Sequence, residues 1–366
     1  MSDTDFDKSL GEVVSRIQQS CDVATHRFVL AESCTAGLIS AVLGRQPGIS
    51  DFFCGSAVTY RNHTKQQWLG VHDQDLVDPG PVSAKVAKQM AEGVLAKTPE
   101  ANIAAAITGH LGPAAPTEWD GVVFIAVAVR GAGENLLAVS HRLELAESER
   151  SLRQHEAALF VLLTLERLMS VLTGAESVIQ ATQDMFQIGG DRIEFVFPGS
   201  FEPLHAGHHA MARYVEEHHQ QPVFFEISVT NVDKPTLSLE ACLERVLSFC
   251  FAGACIISRA PTFLDKARLY GPVQFITGVD TIARIGQSQY YGGDQQRDQA
   301  LQEIAQGGCQ FIVFGRKMSA DFQTGLEDTK QFVDLQQLVL PSKLSAMCRA
   351  IGESEFRYDR SSRDLR

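Results

Sequence analysis

Apolar residues recur at helical spacing through Leu10, Val13, Val14, Ile17 and Cys21, which predicts an amphipathic helix over residues 8–24. The pattern then changes. Arg27-Phe28-Val29-Leu30-Ala31 is a short continuous apolar run of the kind that forms a buried strand. It leads through Glu32-Ser33-Cys34-Thr35-Ala36-Gly37 into a helical stretch starting at Leu38. A strand over 56–60, a helix over 82–96 and a strand over 102–108 follow, then a Gly/Pro-rich loop over 109–121. Strands over 122–129 and 137–145 and a long helix over 147–172 complete the series. Alternation of this kind predicts an α/β domain spanning 1–172.

Between 173 and 192 the periodicity lapses and polar residues dominate, which predicts a linker, with a short helix over 179–186 as the other reading. A second α/β unit is expected over 193–366. Its strands fall at 193–198, 223–229, 254–258, 273–277 and 309–314, with helices opening near His205, over 239–251 and after Asp280. The fold class is thus two α/β domains, the second a Rossmann-like open parallel sheet.

A length of 366 residues agrees with two domains. Apolar residues at 45% and charged residues at 21% suffice for a core in each. The net charge of −12 argues against a nucleic-acid partner or an anionic membrane surface, while leaving room for a locally positive pocket. The first residues lack a basic segment followed by an apolar core, so no signal peptide is expected. No apolar run approaches the ~20 residues of a bilayer span. Eight cysteines lie scattered without CxxC pairs, which fits reduced thiols in a cytoplasmic enzyme.

Ser33 stands between a strand and a helix start. Ser or Thr there commonly caps the helix, and Thr35 has the same option. The strand over 56–60 offers a second use, because it ends in Tyr60 with Lys65 five residues on. A phenol and an amine converging on Ser33 would supply the partner a serine needs to lose its proton. Ala31-Glu32-Ser33-Cys34-Thr35-Ala36-Gly37, Val58-Thr59-Tyr60-Arg61-Asn62-His63-Thr64-Lys65 with Leu69-Gly70-Val71, and Pro81-Val82-Ser83 through Met90-Ala91-Glu92-Gly93 resemble the nicotinamide-nucleotide amidohydrolases. These are the C-terminal domain family of the competence-damage-inducible protein, and the resemblance covers residues 8–172. It implies that Ser33 attacks the carboxamide of nicotinamide mononucleotide with Lys65 and Tyr60 assisting proton transfer. It also implies that Thr35, Thr108 and Gly109 bind substrate and that the protein self-associates into a homo-oligomer. One stretch departs from the family's glycine-rich loop: Gly112-Pro113-Ala114-Ala115-Pro116 puts alanines and a proline where bare backbone would approach a phosphate. Glu118 and Asp120 would add negative charge there.

In the second half, Phe195-Val196-Phe197-Pro198-Gly199-Ser200-Phe201-Glu202-Pro203-Leu204-His205-Ala206-Gly207-His208 reads as a strand, a tight turn and a helix start. A helix start attracts anions, and His205 and His208 on its first turn can address one phosphate. The string resembles the HxGH nucleotidyltransferases of cytidylyltransferase-like fold. Lys234, the Gly278–Asp280 turn, Arg316 and the final Ser361-Ser362-Arg363-Asp364-Leu365-Arg366 resemble the branch that adenylylates nicotinate or nicotinamide mononucleotide. Here Arg360 and Arg363 stand where the family's final motif has Ile and Thr. The resemblance implies transfer from ATP, carried with Mg²⁺, to a pyridine mononucleotide. Gly199, Ser200, Phe201, Lys234, Gly278, Asp280, Arg316, Ser361, Ser362 and Arg366 would be the nucleotide contacts. A transition metal shared by His205 and His208 is the rival reading of that pair, although no Glu or Cys at ligand spacing completes a set. Two alternatives to a bifunctional enzyme of pyridine-nucleotide metabolism stay open. One is a transferase with another acceptor or CTP as donor beside a silent amidohydrolase domain. The other is a non-catalytic nucleotide-binding module.

Overall fold

The computed structural model describes residues 3–20, 26–131, 136–190, 192–202, 204–230, 235–251, 253–317 and 332–358. They form two compact units, Met1–Thr173 with Val246–Phe251, and Gly174–Arg245 with Ala252–Arg366.

In the first unit α1 (Asp3–Ser20) precedes β1 (Phe28–Glu32), α2 (Leu38–Leu43) and β2 (Phe53–Val58). Three helices follow, α3 (Asn62–Leu69), α4 (Asp73–Val77) and α5 (Ala84–Ala96). Then come β3 (Ile103–Gly109), β4 (Val122–Arg130), β5 (Leu136–Glu144) and α6 (Arg150–Ile179). The sheet order is β2-β1-β3-β4-β5, with the first three strands parallel and the last two antiparallel. β3, Ile-Ala-Ala-Ala-Ile-Thr-Gly, is buried on both faces, as a central strand between helices must be. Helix α5 lays Val86, Met90, Ala91 and Val94 onto that sheet. At Gly93 a Cβ would fall 1.9 Å from the Leu69 carbonyl oxygen, so only glycine lets α3 lie this close to α5. That contact fixes the helix on which Lys65 rides.

The chain leaves β1 toward β2 on one side and returns to β3 on the other. A ligand crevice opens at the carboxyl edge where neighbouring connections diverge in this way. Ser33 follows β1, and Thr108 and Gly109 end β3, so the switch point holds the residues the sequence singled out.

The 173–192 stretch, expected as a linker, carries the last turns of α6 and an edge strand, β6 (Met185–Ile188). Its alternating Met185-Phe186-Gln187-Ile188 pairs antiparallel with β9 (Cys255–Ser258), which is why a polar-looking segment is ordered. Helix α6 also corrects the bilayer expectation. It is long and apolar enough to cross a membrane, yet 61% of its most apolar window is buried inside the protein. Such a helix reads as a core element.

The second unit continues with β7 (Phe195–Pro198), α7 (Ala206–His219), β8 (Val223–Ser228), α8 (Leu239–Val246), β9 and α9 (Phe263–Tyr270). It goes on through β10 (Gln274–Gly278), α10 (Val279–Ile285), α11 (Asp294–Gln306), β11 (Gln310–Phe314) and the short β12 (Arg316–Lys317) and β13 (Phe332–Val333). α12 (Ser342–Ala346) and β14 (Cys348–Ile351) close the described chain. The main sheet runs β14-β11-β10-β7-β8-β9-β6, parallel except for β6. Phe275, Phe311 and Phe263 pack ring against ring in its core, with centroids 5.2–5.7 Å apart. The strands are added in one direction from β7 and in the other from β10, so this sheet also has a switch point, flanked by the turns that carry His205 and Asp280.

Candidate active sites

Ser33 is 7% exposed, and its N–H donates to the Ile107 carbonyl at 3.1 Å, which pins the turn to the end of β3. Two residues with left-handed backbone follow, Ala36 at φ +54° and Gly37 at φ +94°. An alanine in that region is uncommon and needs local support. Glu32, fully buried, provides it. Its carboxylate accepts from the Gly37, Ile39 and Ser40 amides at 3.0–3.2 Å and from the Thr35 hydroxyl at 2.8 Å. An anion at the start of α2 suits the unsatisfied N–H groups there. The hydroxyl of Thr35, expected to bind substrate, donates to Glu32. Glu32 is part of the quoted motif but receives no role from the sequence, because only its partners at the end of β1 reveal what its carboxylate holds.

Lys65 reaches across from α3 and donates from Nζ to Ser33 Oγ at 2.8 Å, with both side chains buried. Burial pushes its ammonium down to about 8. Loss of hydration penalises the charged form, and no carboxylate sits close enough to offset it. Neighbouring Cys34 is pushed up to about 12 by burial, which removes it as a competing nucleophile at neutral pH. The Thr108 hydroxyl donates to the Pro81 carbonyl at 2.8 Å, and Thr108 and Gly109 line the wall beside Ser33. The cavity holds about 300 Å³. Tyr60, 53% exposed, stands at its mouth, where its phenol oxygen accepts from Arg150 Nη2 at 3.0 Å. Arg150 also donates to the Gly112 carbonyl. The 109–121 loop presents less net negative charge than its sequence implies, because Asp120 is paired at 2.8 and 2.9 Å with Arg153, whose hydrogen bonds hold its carboxyl below the usual range.

In the second unit His205 caps α7. Its Nδ1 accepts from the Gly207 amide at 3.1 Å, and the His208 Nδ1 accepts from the His205 amide at 3.3 Å. Both Nδ1 atoms being acceptors, each neutral ring carries its proton on Nε2. The rings stack with centroids 3.8 Å apart. Burial first, then the neighbouring histidines, pushes His208 down to about 3, so it is neutral at pH 7. Tyr358 lies over His205, and a Cβ at Gly207 would come 2.7 Å from the Tyr358 ring. Among the described residues no group of three or more His, Cys, Asp or Glu converges, so the rival metal reading of these histidines has no ligand set there.

Gly199 and Ser200 border a second cavity of about 490 Å³, whose far wall holds Tyr290, Tyr291 and Arg284. Its floor is an ion pair that no sequence motif announces. Lys266 Nζ donates to both Glu226 oxygens at 2.8 and 2.9 Å and to the Ala260 carbonyl at 2.7 Å, with both residues under 5% exposed. Their wide separation along the chain hides the pairing. Phe201, expected as a nucleotide contact, is buried among Phe197, Phe225 and His208 instead. Asp280 and Arg316 face each other at 3.5 Å, and the Gly278 turn opens α10 beside them. Lys234, Ser361, Ser362 and Arg366 lie outside the described residues.

A hydroxyl with a buried amine on it, at the switch point of an α/β sheet, is a serine–lysine pair whose amine can take the hydroxyl proton once deprotonated. Residues 11–169 match the family described as CinA C-terminal domain. A putative competence-damage inducible protein of Alkaliphilus oremlandii is 38% identical over 127 residues, 34% of this chain and 30% of that protein. Another from Caldicellulosiruptor saccharolyticus is 46% identical over 103 residues, 28% of this chain and 25% of the relative. The chain thus spans less than a third of the length of these relatives. The crystal structure of competence/damage inducible protein CihA from Agrobacterium tumefaciens shares 31% identity, covering 42% of this chain and 92% of that one, at a TM-score of 0.39.

Proposed function

We propose that the first unit hydrolyses the carboxamide of a pyridine mononucleotide. The 2.8 Å contact between Lys65 and Ser33 carries the reading. Neutral Lys65 accepts the Ser33 proton as Oγ attacks the amide carbon, and the same proton passes to the departing ammonia. Water then cleaves the acyl-serine ester, with Lys65 again as base, and the carboxylate product leaves. Tyr60 at the cavity mouth is placed to donate its hydroxyl proton in a hydrogen bond, since its oxygen already accepts from Arg150.

The second unit is read as a nucleotidyltransferase, and the paired histidines at the head of α7 favour this reading. Their Nε2–H groups stand beside the helix's own N–H groups, an arrangement suited to the phosphates of a Mg²⁺-bound nucleoside triphosphate. The mononucleotide phosphate would attack the α-phosphorus in line and pyrophosphate would leave, so catalysis is positioning and charge neutralisation. The cavity beside Gly199 and Ser200, with its tyrosines, has the size and aromatic wall for the acceptor.

Mass spectrometry of products after mixing the chain with nicotinamide mononucleotide, ATP and Mg²⁺ tests both halves. Nicotinate mononucleotide together with its adenine dinucleotide is the expected outcome, with deamidation lost in Ser33→Ala and transfer lost in His208→Ala. NAD alone would overturn the hydrolase reading. Deamidation alone would overturn adenylyl transfer and direct the same assay to CTP and to other phosphorylated acceptors. Unchanged substrates with binding retained would leave a nucleotide-binding module.

A further inference from the structure

We propose that Glu226, held by Lys266 on the floor of the second unit's cavity, accepts hydrogen bonds from the ribose of the acceptor. The assignment rests on the nucleotidyltransferase reading above. The pair is nearly shut off from solvent, at 1% and 4% exposed, yet both side chains line the cavity of about 490 Å³. Burying two charges costs desolvation, and an apolar pair of similar volume is often as stable or more so. Stability alone therefore gives little reason for an ion pair at this depth beside an opening.

Counting donors and acceptors shows what the floor presents. An ammonium has three N–H groups, and Lys266 places them on Glu226 Oε1, Glu226 Oε2 and the Ala260 carbonyl. None is left for a ligand, so an anionic group finds no donor here. Glu226 Oε1 is already crowded, since it also accepts from the Ser258 hydroxyl and the Tyr270 phenol. Oε2 accepts from Lys266 alone among the described residues, which leaves it a lone pair for a donor. Ser228, two residues along and so on the same face of β8, lines the cavity as well. Its hydroxyl donates to the Thr230 and Ala260 carbonyls at 2.7 and 2.8 Å, so its oxygen too is left to accept. Acceptors at alternate positions of one strand suit two neighbouring donors, such as the hydroxyls of a vicinal diol.

Position singles out the ribose. Glu226 pairs with Pro198 across β8 and β7, and its carbonyl accepts from the Gly199 amide at 3.0 Å. The carboxylate thus stands one strand from the turn beside which the reacting phosphate would lie. The tyrosines that would take the pyridine ring come from beyond α10, on the far wall. The sugar is the part of a mononucleotide that falls between the two.

The test measures pyrophosphate release, with ATP and Mg²⁺, from nicotinate mononucleotide and from its 2′-deoxy and 3′-deoxy forms. In the unaltered chain, kcat/KM is expected to fall by about 10- to 100-fold on loss of the hydroxyl that meets Glu226, the range of a hydrogen bond to a charged group. Equal values for the three acceptors would overturn the assignment, and this comparison needs no variant. Glu226→Leu with Lys266→Met replaces the pair by apolar side chains of similar size, and the preference for the ribo form is expected to disappear in it. A general disturbance of the floor slows all three acceptors alike, so an unchanged preference in the folded double variant would also overturn the assignment. Calorimetry with nicotinate mononucleotide separates this failure from that of the transferase reading, because any event in the first unit is common to both chains. A binding event lost in the double variant and weakened by removing one hydroxyl, with no pyrophosphate released, would keep the ribose contact and sink the transfer. Identical titrations and no turnover would sink both.

Discussion

At the scale of single residues, burial works against the charged forms of two groups, Lys65 and His208. Lys65 must be unprotonated to take the Ser33 proton, and its ammonium titrates at about 8. The rate of amide hydrolysis should therefore rise tenfold per pH unit below that value and flatten above it. A profile flat from pH 6 to 9 would remove Lys65 as the base. His208 shows the stability side of the same physics. Its folded pKa is depressed to about 3, so below pH 6.5 the unfolded chain binds a proton that the folded chain refuses. Stability from this group is complete above pH 6.5 and is lost as pH falls toward 3, by a few kcal/mol in all. His208→Asn should flatten that part of the acid limb in denaturant titrations, whereas an unaltered limb would assign the loss to other groups. Ser33, Tyr60 and Lys65 are legible in the sequence because each sits at a strand end or one helical turn beyond it. Thr35 and Phe201 mark where spacing stops deciding a side chain's partners. A hydroxyl or ring beside a motif is as able to hold the turn as to meet a ligand, and only the positions of Glu32 and Phe225 decide.

At the scale of elements, helix α3 delivers the lysine, and its distance from α5 is set by one hydrogen atom at Gly93. Gly93→Ala should destabilise the chain by about 1–3 kcal/mol through overpacking. By shifting α3, it should also reduce ammonia release by up to about 100-fold. Gly11, in the interior of α1, provides the contrast, because a Cβ added there would meet nothing within 4 Å. Gly11→Ala should stabilise by about 0.5–1 kcal/mol and leave activity unchanged. Thermal melts and the ammonia assay on both variants check this, and equal effects would dismiss the close-approach argument. Periodicity makes α5, β3 and β4 legible, since each buries a long regular face. It does not reveal β6, α9 or α11. β6 is four residues long and gains its order from a distant partner. The other two lie in polar sequence, where α11 buries little beyond Ala300, Leu301 and Ile304.

At the scale of the molecule, the division into two α/β units is readable from the alternation of elements, but the path between them is not. Residues 246–251 belong with the first unit although they follow the first strands of the second. Phe249 is fully buried, its carbonyl accepts from Arg167 Nε at 2.9 Å, and the Phe251 ring stacks on His141 at 5.3 Å. No hydrophobic period could reveal this, because a short apolar segment does not specify which core receives it. Phe249→Ala should cost about 3–5 kcal/mol. Hydrogen exchange should place that loss in β1 and β3, with β7 and β8 unaffected. Faster exchange confined to β7 and β8 would reverse the assignment.

That excursion also fixes an order of events during synthesis. The ribosome releases β1 to β5 and the greater part of α6 long before Phe249 emerges. The first unit thus waits, with one patch of its core uncovered, until about eighty further residues have left the exit tunnel. Its completion is tied to translation of the second half, so a message truncated between the halves yields a first unit that lacks this part of its core.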